Sequence, residues 1–276
     1  MKITVSAAQM APNSESIQEN VERILTMMER AKSQGAELVA FPELALTPFF
    51  AVKYTRQFKH YFVEDDSKEI SWIRKKAEQL KLITIFGYAE VENVNYYNTA
   101  IVIDKAGKMV GKYRKVHLPA PMINDEMGNY EKIYFKPGNL EYTVIEAEGI
   151  KIGLQICYDR HFPEGFRALA KQGADIIFNL TATSSFSCDW RSDTWKLMLR
   201  ARAFENGVFI VGVNKTGKEY NKDYYGHSMI VSPLGAEVLA FGGTTDDDHL
   251  IVQTIDLDDR WEAYLRLPFN RDLSLD

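Results

Sequence analysis

The sequence predicts a layered α/β fold built from two packed β-sheets. Short apolar runs typical of strands alternate with amphipathic helical patterns over most of the 276 residues. Three pairs of runs are joined by tight turns, so antiparallel hairpins are expected among the βα alternations. Two sheets packed on each other, with helices on the outer faces only, would bury all the apolar strands. Periodicity by itself leaves the number of layers open.

The N-terminal elements are a strand, a helix and a second strand. The first strand is "ITVSAAQM". The helix over "SESIQENVERILTMMERAKSQGA" begins with a capping-box pattern, Ser16 followed by Glu19, and Gly35 is its expected end. The strand "AELVAF" follows and ends at Pro42. The apolar face of the helix consists of Ile17, Val21, Ile24, Leu25 and Met28.

The middle of the chain predicts one helix, one strand and two hairpins. The helix covers "SKEISWIRKKAEQLK" and the strand is "LITIFGYAE". Alternating runs then flank the turns at Asp104–Gly107 and Glu148–Gly149, which predicts two consecutive hairpins.

The C-terminal half predicts two helices, three strands and a last hairpin. In order these are "PEGFRALAKQGA", "DIIFNLTA", a long helix near Trp190 to Asn206, "GVFIVGVN", a hairpin that turns at Pro233–Gly235, and "HLIVQTIDLD" before a polar tail. No linker, low-complexity tract or repeat interrupts this order, so residues 1–276 are expected to form one domain.

Composition excludes several functional classes. The formal net charge is −5 with both signs interspersed, which argues against a nucleic-acid-binding surface. No apolar run approaches the roughly 18 residues of a membrane span, and the N-terminus lacks the apolar core of a signal peptide. The two cysteines, Cys157 and Cys188, do not suggest a disulfide framework, so we expect a reducing, cytoplasmic compartment.

Three segments each place a reactive side chain just after a strand. Glu43 follows Pro42, Lys115 and His117 end a hairpin strand, and Cys157 ends an apolar run. Loops at strand ends commonly carry functional groups on a rigid scaffold.

Cys157 has two interpretations. A free cysteine in an apolar strand is most often a small core residue. However, Cys157 ends its run, and a helix beginning near Pro163 would favour the thiolate, the nucleophilic form. Cys188 has neither feature and is interpreted as a bystander.

A cysteine nucleophile needs a base, and the residues alone leave its identity open. Among the five histidines, His117 and His161 are possible partners, and no Cys-His signature is present. Glu43 and Lys115 are the other candidates. Taken singly, such a glutamate could cap a helix and such a lysine could be a solvated charge.

Together, "FPELALT", "GKYRKVHLP" and "ICYDRHFPE" resemble the nitrilase (carbon-nitrogen hydrolase) superfamily. The resemblance covers essentially the whole chain and includes "YNTAIVID", "EKIYFKPG" and "GHSMIVSPLG". It implies a four-layer α-β-β-α sandwich and a Glu43–Lys115–Cys157 triad. The chemistry that the resemblance implies requires no metal and no cofactor. The Asp246–His249 run is interpreted as a solvated turn.

The resemblance also implies a covalent mechanism. Glu43 takes the thiol proton, Cys157 attacks the substrate carbon, and Lys115 with a backbone N–H near Tyr158 stabilises the developing charge. Glu131 matches a second glutamate of the family, which would orient Lys115 or bind the substrate nitrogen.

Within the superfamily, the nearest resemblance is to N-carbamoyl-D-amino-acid amidohydrolases. Arg160 is then expected to bind a substrate carboxylate through its planar fork, with Thr183 as a weaker candidate. The alternative for Arg160 is an ion pair with Asp159 or Glu164. The full set expected to contact substrate is Tyr158, Arg160, His161, His117 and Thr183.

Three positions depart from that group: His161 replaces an arginine, Tyr130 a histidine and Ala182 an asparagine. The Arg160–His161 pair instead resembles β-ureidopropionases, so the substrate's chain length and stereochemistry stay open. The alternative activities are those of an ω-amidase, an aliphatic amidase or a carbamoylputrescine amidase. A catalytically silent scaffold is the alternative of a different class.

The family commonly assembles as dimers or tetramers, so the resemblance implies a homodimer or homotetramer. The aromatic and charged tail, about residues 257–276, is expected to take part in the subunit contacts. No other macromolecular partner is predicted, and the substrate is expected to be a small molecule.

Overall fold

The computed structural model describes residues 1–120, 129–185, 188 and 190–272. Its fourteen strands within these ranges are β1 (Lys2–Gln9), β2 (Leu38–Ala40), β3 (Ile83–Glu92), β4 (Asn95–Ile103), β5 (Met109–Arg114), β6 (Ile145–Ala147), β7 (Ile150–Ile156), β8 (Ile176–Leu180), β9 (Phe209–Val213), β10 (Thr216–Glu219), β11 (Lys222–Tyr225), β12 (Met229–Val231), β13 (Val238–Phe241) and β14 (His249–Asp256).

The helices of the described residues are α1 (Ile17–Ser33), α2 (Lys68–Leu80), α3 (Glu131–Tyr134), α4 (Pro163–Lys171), α5 (Trp190–Asn206), α6 (Asp259–Arg266) and α7 (Phe269–Asp272). Three short 3-10 helices are added at Phe50–Val52, Lys59–Tyr61 and Cys157–His161.

Two six-stranded sheets form the centre of the molecule. The first has the order β14-β1-β2-β3-β4-β5 and the second β13-β12-β9-β8-β7-β6. Each sheet has three adjacent parallel strands, β1-β2-β3 in one and β7-β8-β9 in the other, flanked by antiparallel strands. Parallel neighbours place their carboxyl ends at the same edge of a sheet, where side chains from separate parts of the chain meet.

The sheets pack face to face. The core between them combines side chains such as Val5 and Ile85 of the first sheet with Leu154 and Phe178 of the second. A second apolar cluster packs α1 and α2 on the outer face of the first sheet, and another packs α4 and α5 on the outer face of the second. The predicted four-layer α-β-β-α sandwich is confirmed.

Local sequence signals fixed the ends of α1. The Ser16 hydroxyl accepts the Glu19 N–H at 3.4 Å, and the helix ends just before Gly35, whose φ of 85° suits a residue without a Cβ. The three predicted hairpins are present as β4–β5, β6–β7 and β12–β13.

The sequence prediction missed several elements, including one hairpin and the C-terminal helices. The β10–β11 hairpin presents polar residues inward, including the buried Glu219 and Lys222, so it has no apolar alternation to detect. The tail was interpreted only as polar, without any secondary structure, and most of its described part is helical in α6 and α7.

Exposed apolar side chains lie on the outer helices. Leu197 of α5 is 67% exposed, and Trp261 and Leu265 of α6 are 63% and 60% exposed. Such a surface is compatible with the predicted subunit contact, which stays a prediction. Across the described ranges, no helix is long and apolar enough to cross a membrane.

Candidate active site

Three strand ends bring the predicted triad together. Glu43 follows β2 and Lys115 follows β5, both in the first sheet, whereas Cys157 follows β7 in the second. All three residues are buried. Packing of the two sheets therefore joins side chains that lie far apart in the sequence.

The Glu43 carboxylate is fixed by three donors. Its Oε1 accepts hydrogen bonds from Lys115 Nζ and Asn98 Nδ2, each at 2.7 Å, and its Oε2 accepts the Ala182 N–H at 2.9 Å. Asn98 lies on β4 and was not predicted as a site residue, although a buried amide in an apolar strand was a usable signal. Ala182, noted as a departure from the D-carbamoylase pattern, contributes through its backbone.

The turn that carries Glu43 packs tightly against β3. A Cβ on Gly87 would lie 2.9 Å from the Glu43 Cα, so only glycine allows this approach. Leu44 adopts a φ of 50°, a left-handed conformation that costs energy for a residue with a side chain. The position of the carboxylate is thus built into the backbone.

Lys115 is buried between two carboxylates. Its Nζ donates to Glu43 Oε1 at 2.7 Å and to Glu131 Oε2 at 2.6 Å. Burial alone would lower the lysine pKa, but the charges of Glu131 and Glu43 outweigh it and raise the Lys115 pKa above its ordinary value. Lys115 therefore stays a cation and does not serve as the base.

The peptide of Lys115 is also held in place. Its carbonyl accepts the Gly138 N–H at 2.8 Å, and a Cβ on Gly138 would lie 2.0 Å from the Arg114 carbonyl oxygen. The glycine of the "EKIYFKPG" segment is thus required for this close approach.

Glu131 begins the short helix α3 and completes the charged cluster. Its Oε2 accepts from Lys115, and its backbone N–H donates to the Asn129 side-chain oxygen at 3.2 Å. Burial raises the pKa of Glu131, an effect that the Lys115 charge opposes and the Glu43 charge reinforces. The contact to Lys115 is the one predicted for it.

Cys157 occupies a strained turn. It begins the 3-10 helix after β7 with a φ of 45°, a conformation that is uncommon for a residue other than glycine. Burial and the nearby Glu43 charge raise the pKa of the Cys157 thiol to about 12, although Lys115 and Arg160 act in the opposite direction. The sulfur is therefore a thiol at neutral pH, and it would need a base to become a nucleophile.

This protonation state is testable by ultraviolet absorbance. Thiolates absorb where thiols do not, and the thiolate fraction rises with pH as the pKa is approached. We expect wild-type protein and Cys157→Ala to show the same thiolate absorbance at neutral pH. The difference should appear only in alkali, toward the Cys157 pKa of about 12. A thiolate signal from Cys157 at neutral pH would instead indicate a preformed ion pair.

Asp159 organises the turn that follows the cysteine. Its carboxylate accepts the Ile156 N–H at 3.1 Å, the Tyr113 hydroxyl at 2.8 Å and the His117 N–H at 2.9 Å. The His117 ring lies 2.8 Å from the same carboxylate and stacks on Phe162.

These contacts change two sequence interpretations. His117 does not line the cavity that contains Cys157, so the structure separates it from the other candidates for substrate contact. Asp159 is occupied by these donors and forms no ion pair with Arg160.

Arg160 extends from the nucleophile turn along the cavity. Its Nη1 donates to the Cys157 carbonyl at 2.8 Å and lies 3.7 Å from the Cys157 sulfur, while its Nη2 donates to Thr183 Oγ1 at 3.3 Å. Within the described part of the chain, no carboxylate lies within ion-pairing distance of this guanidinium, Glu164 included. A buried cation without an ion pair is a natural site for an anionic ligand group.

A cavity of about 360 Å³ opens at Cys157. Of the predicted residues, Glu131, Cys157, Tyr158, Arg160, His161 and Thr183 line it. His161 lies beside Tyr158, and burial followed by the charges of Arg160, Arg191 and Arg202 lowers its pKa to about 4. His161 is therefore neutral at physiological pH and unsuited to neutralise a carboxylate by charge.

The acidic run at Asp246–His249 contributes a structural contact. Asp248 accepts the Arg23 Nε at 2.6 Å and also pairs with its Nη2. Over the described residues, no group of three or more potential metal ligands is assembled.

Comparisons with known proteins agree with this geometry. The carbon-nitrogen hydrolase family profile matches residues 4–264. The chain is 32% identical over 268 residues to N-carbamoylputrescine amidase from Solanum lycopersicum, covering 93% of this chain and 87% of that protein. It is 31% identical over 280 residues to 2-oxoglutaramate amidase from Bacillus subtilis (strain 168), covering 100% and 99% of the two chains.

A solved structure extends the comparison to the fold. The carbon-nitrogen hydrolase from Helicobacter pylori G27 superposes with a TM-score of 0.89 at 27% identity, covering 99% of this chain and 95% of that one. Fold and sequence thus define a hydrolase that acts on carbon–nitrogen bonds. The chain belongs to the carbon-nitrogen hydrolase family, and the predicted resemblance is confirmed.

Proposed function

We propose that this protein hydrolyses the ureido C–N bond of small N-carbamoyl amino acids through Glu43, Lys115 and Cys157. The single observation that carries the proposal is the cavity itself. The buried Cys157 lies at one side, and the Arg160 guanidinium lies 3.7 Å from its sulfur. One pocket therefore offers both a reaction centre and a carboxylate site.

The first half-reaction forms a thioester. Glu43 takes the Cys157 proton, and the sulfur attacks the ureido carbon, so that the carbonyl oxygen becomes negatively charged. Lys115 and the backbone N–H of Tyr158 stabilise that oxygen, a role worth roughly 3–4 kcal/mol for one donor in comparable sites. Glu43 then returns the proton to the leaving nitrogen, and ammonia departs.

The second half-reaction regenerates the thiol. Glu43 removes a proton from water, which attacks the thioester carbon, and the Cys157 sulfur leaves and is protonated. The carbamic acid released in this step decomposes to the amino acid and CO2. Overall, one water is consumed in forming the carbamic acid and ammonia. Lys115 keeps its proton throughout because two carboxylates bind it.

The charge of the cavity supports a carboxylated substrate. Among the described residues that line it are the cations Arg160 and Arg191, and the carboxylate Glu131 of the same set is bound by Lys115. Like charges buried together repel strongly, so the ammonium group of a carbamoylputrescine would be disfavoured beside the Arg160 guanidinium. For this reason we place N-carbamoylputrescine below carboxylated compounds, although one relative is named for that activity.

A second candidate is an ω-amidase that acts on the primary amide of a dicarboxylic acid. It is favoured by the similarity to 2-oxoglutaramate amidase, which spans the whole chain. Such a substrate also presents a carboxylate to Arg160, and its acyl-enzyme yields a carboxylic acid in place of CO2.

An ammonia-release screen tests the proposal. The panel contains N-carbamoyl-D- and L-amino acids, N-carbamoyl-β-alanine, N-carbamoylputrescine, ω-amides and simple amides. We expect the highest kcat/KM with a carboxylated carbamoyl compound. A preference for ω-amides would select the second candidate, and a preference for N-carbamoylputrescine or neutral amides would contradict both.

The Arg160→Ala variant tests the carboxylate site. We expect KM for carboxylated substrates to rise about 10- to 100-fold, the value of a hydrogen-bonded charge pair. Arg160 also holds the Cys157 carbonyl, so a loss of kcat shared by all substrates is expected as well. Comparison with a neutral amide separates the two effects, and an equal rise in KM for both would remove Arg160 from this role.

A further inference from the structure

A second arginine points at the same oxygen as Arg160. Arg191, in the first turn of α5, lines the cavity, and its Nη2 donates to Thr183 Oγ1 at 3.0 Å. Arg160 Nη2 donates to the same hydroxyl oxygen at 3.3 Å. One acceptor oxygen therefore lies between two guanidinium groups at the wall of the cavity.

Both guanidiniums are fixed by backbone carbonyls. Arg191 Nε donates to the Ser184 carbonyl at 2.9 Å, and Arg160 Nη1 donates to the Cys157 carbonyl at 2.8 Å. The hydroxyl between them is fixed too, since the Thr183 N–H donates to the Asn214 side chain at 2.9 Å. These hydrogen bonds hold both guanidinium groups and the hydroxyl in place, so little ordering cost remains for binding.

Two adjacent cations repel each other, and an anion that contacts both lowers the energy of the pair. Burial and then the charge of Arg160 lower the pKa of Arg191, which shows that the two groups repel each other in a poorly solvated place. A carboxylate oxygen beside Thr183 would accept hydrogen bonds from both guanidinium groups and reduce the repulsion between them. Arginine forks suit carboxylates because they donate two parallel hydrogen bonds.

We propose that Arg191 is a specificity-determining residue that, together with Arg160, binds the substrate carboxylate. This inference rests on the proposed function and narrows its substrate class. Because Arg160 reaches both the Cys157 sulfur and Thr183, the carboxylate is bound close to the reacting carbon. Short substrates such as N-carbamoyl α-amino acids fit this spacing better than long-chain ones.

The test compares substrates that differ only by the carboxylate. The first pair is N-carbamoylalanine, in D and L forms, and ethylurea; the second is succinamate and propionamide. Variants R191Q and R191K are measured beside wild-type enzyme. The control K196Q removes a cation from the same helix, where Lys196 is partly exposed and outside the cavity.

With R191Q we expect KM for the carboxylated member to rise about 10- to 100-fold and its kcat to change little. The kcat/KM for the neutral member should stay within about twofold, because only the carboxylate contacts Arg191. R191K keeps the charge but loses the fork, so an intermediate rise in KM is expected. K196Q should behave as wild type.

Distinct outcomes overturn the inference and the proposed function. If wild-type enzyme prefers the carboxylated substrates and R191Q keeps that preference, Arg191 has no such role while the proposed function stands. Equal losses on charged and neutral substrates would show a structural role and also overturn the inference. If wild-type enzyme shows no preference in either pair, the carboxylated substrate class itself is wrong. If R191Q does not fold, R191K serves as the test. An R191K enzyme that keeps the wild-type preference for carboxylated substrates would then overturn the inference.

Discussion

Replacing Cys157 by alanine is expected to abolish ammonia release from every substrate while the fold stays intact. The variant removes the sulfur proposed to form the thioester, and loss of a nucleophile lowers kcat by roughly 10⁴- to 10⁶-fold in comparable enzymes. Cys157 is buried at a turn whose hydrogen bonds come from its backbone and from Asp159, so removal of the sulfur leaves them in place.

Cys188→Ala is the matched control for this prediction. Cys188 is half-buried and outside the cavity, so its variant should retain full turnover. Thermal unfolding of both variants checks the fold. Mass spectrometry of quenched wild-type enzyme should detect an added acyl group on the peptide that contains Cys157. Turnover by Cys157→Ala at the wild-type rate would refute the covalent mechanism.

Replacing Lys115 by methionine should reduce both activity and stability. The developing oxyanion loses its cationic donor, and Glu43 and Glu131 are left as two buried carboxylates without the cation between them. Removing one partner of a buried ion pair typically costs about 3–5 kcal/mol. Urea unfolding at neutral pH should show a loss of that size, and kcat should fall by at least about 100-fold.

The pH dependence of this variant follows from the same cluster. Burial already raises the pKa of Glu131, and the Lys115 charge is what lowers it, so Lys115→Met should raise it further. A carboxyl group whose pKa is higher in the folded state than in the unfolded state binds more protons in the folded protein than in the unfolded chain. The unfolding free energy of Lys115→Met should therefore decrease as pH rises above the ordinary glutamate pKa of 4.5.

Two further variants separate stability from catalysis. Lys115→Met combined with Glu131→Gln removes one of the repelling charges and should recover part of the stability but none of the activity. Lys112→Met removes a lysine of β5 that pairs with Asp65 and Glu90 away from the cavity, and it should leave kcat unchanged. If Lys115→Met were as stable and as active as wild type, the assigned cluster would be wrong.

Local signals were sufficient for much of the fold. Strands, hairpins and the start of α1 were predicted because alternation, turn residues and the Ser16 cap act over a few neighbouring residues. The β10–β11 hairpin was missed because its inward residues are polar, among them Glu219, which pairs at 2.8 Å with Lys215 just before β10. A buried ion pair of this kind leaves no hydrophobic pattern in the sequence.

The candidate site residues differ in how visible they are in the sequence. Glu43, Lys115 and Cys157 each end a strand, and the family motifs identified them together. Asn98 and Arg191 belong to no predicted site. An amide in an apolar strand was a usable signal for Asn98, but the direction of both side chains, toward Glu43 and Thr183, is set by tertiary packing. His117 was expected to contact substrate, but the Asp159 carboxylate binds it outside the cavity.

The sequence by itself determined which reactive groups exist and that each follows a strand, since those properties depend on residue type and short-range geometry. Only the tertiary structure decided that Glu43 and Lys115 from one sheet meet Cys157 from the other in a buried site. Burial and the neighbouring charges then keep the Cys157 thiol protonated and Lys115 positively charged. These effects depend on distances across the sandwich, which packing fixes and no short segment encodes.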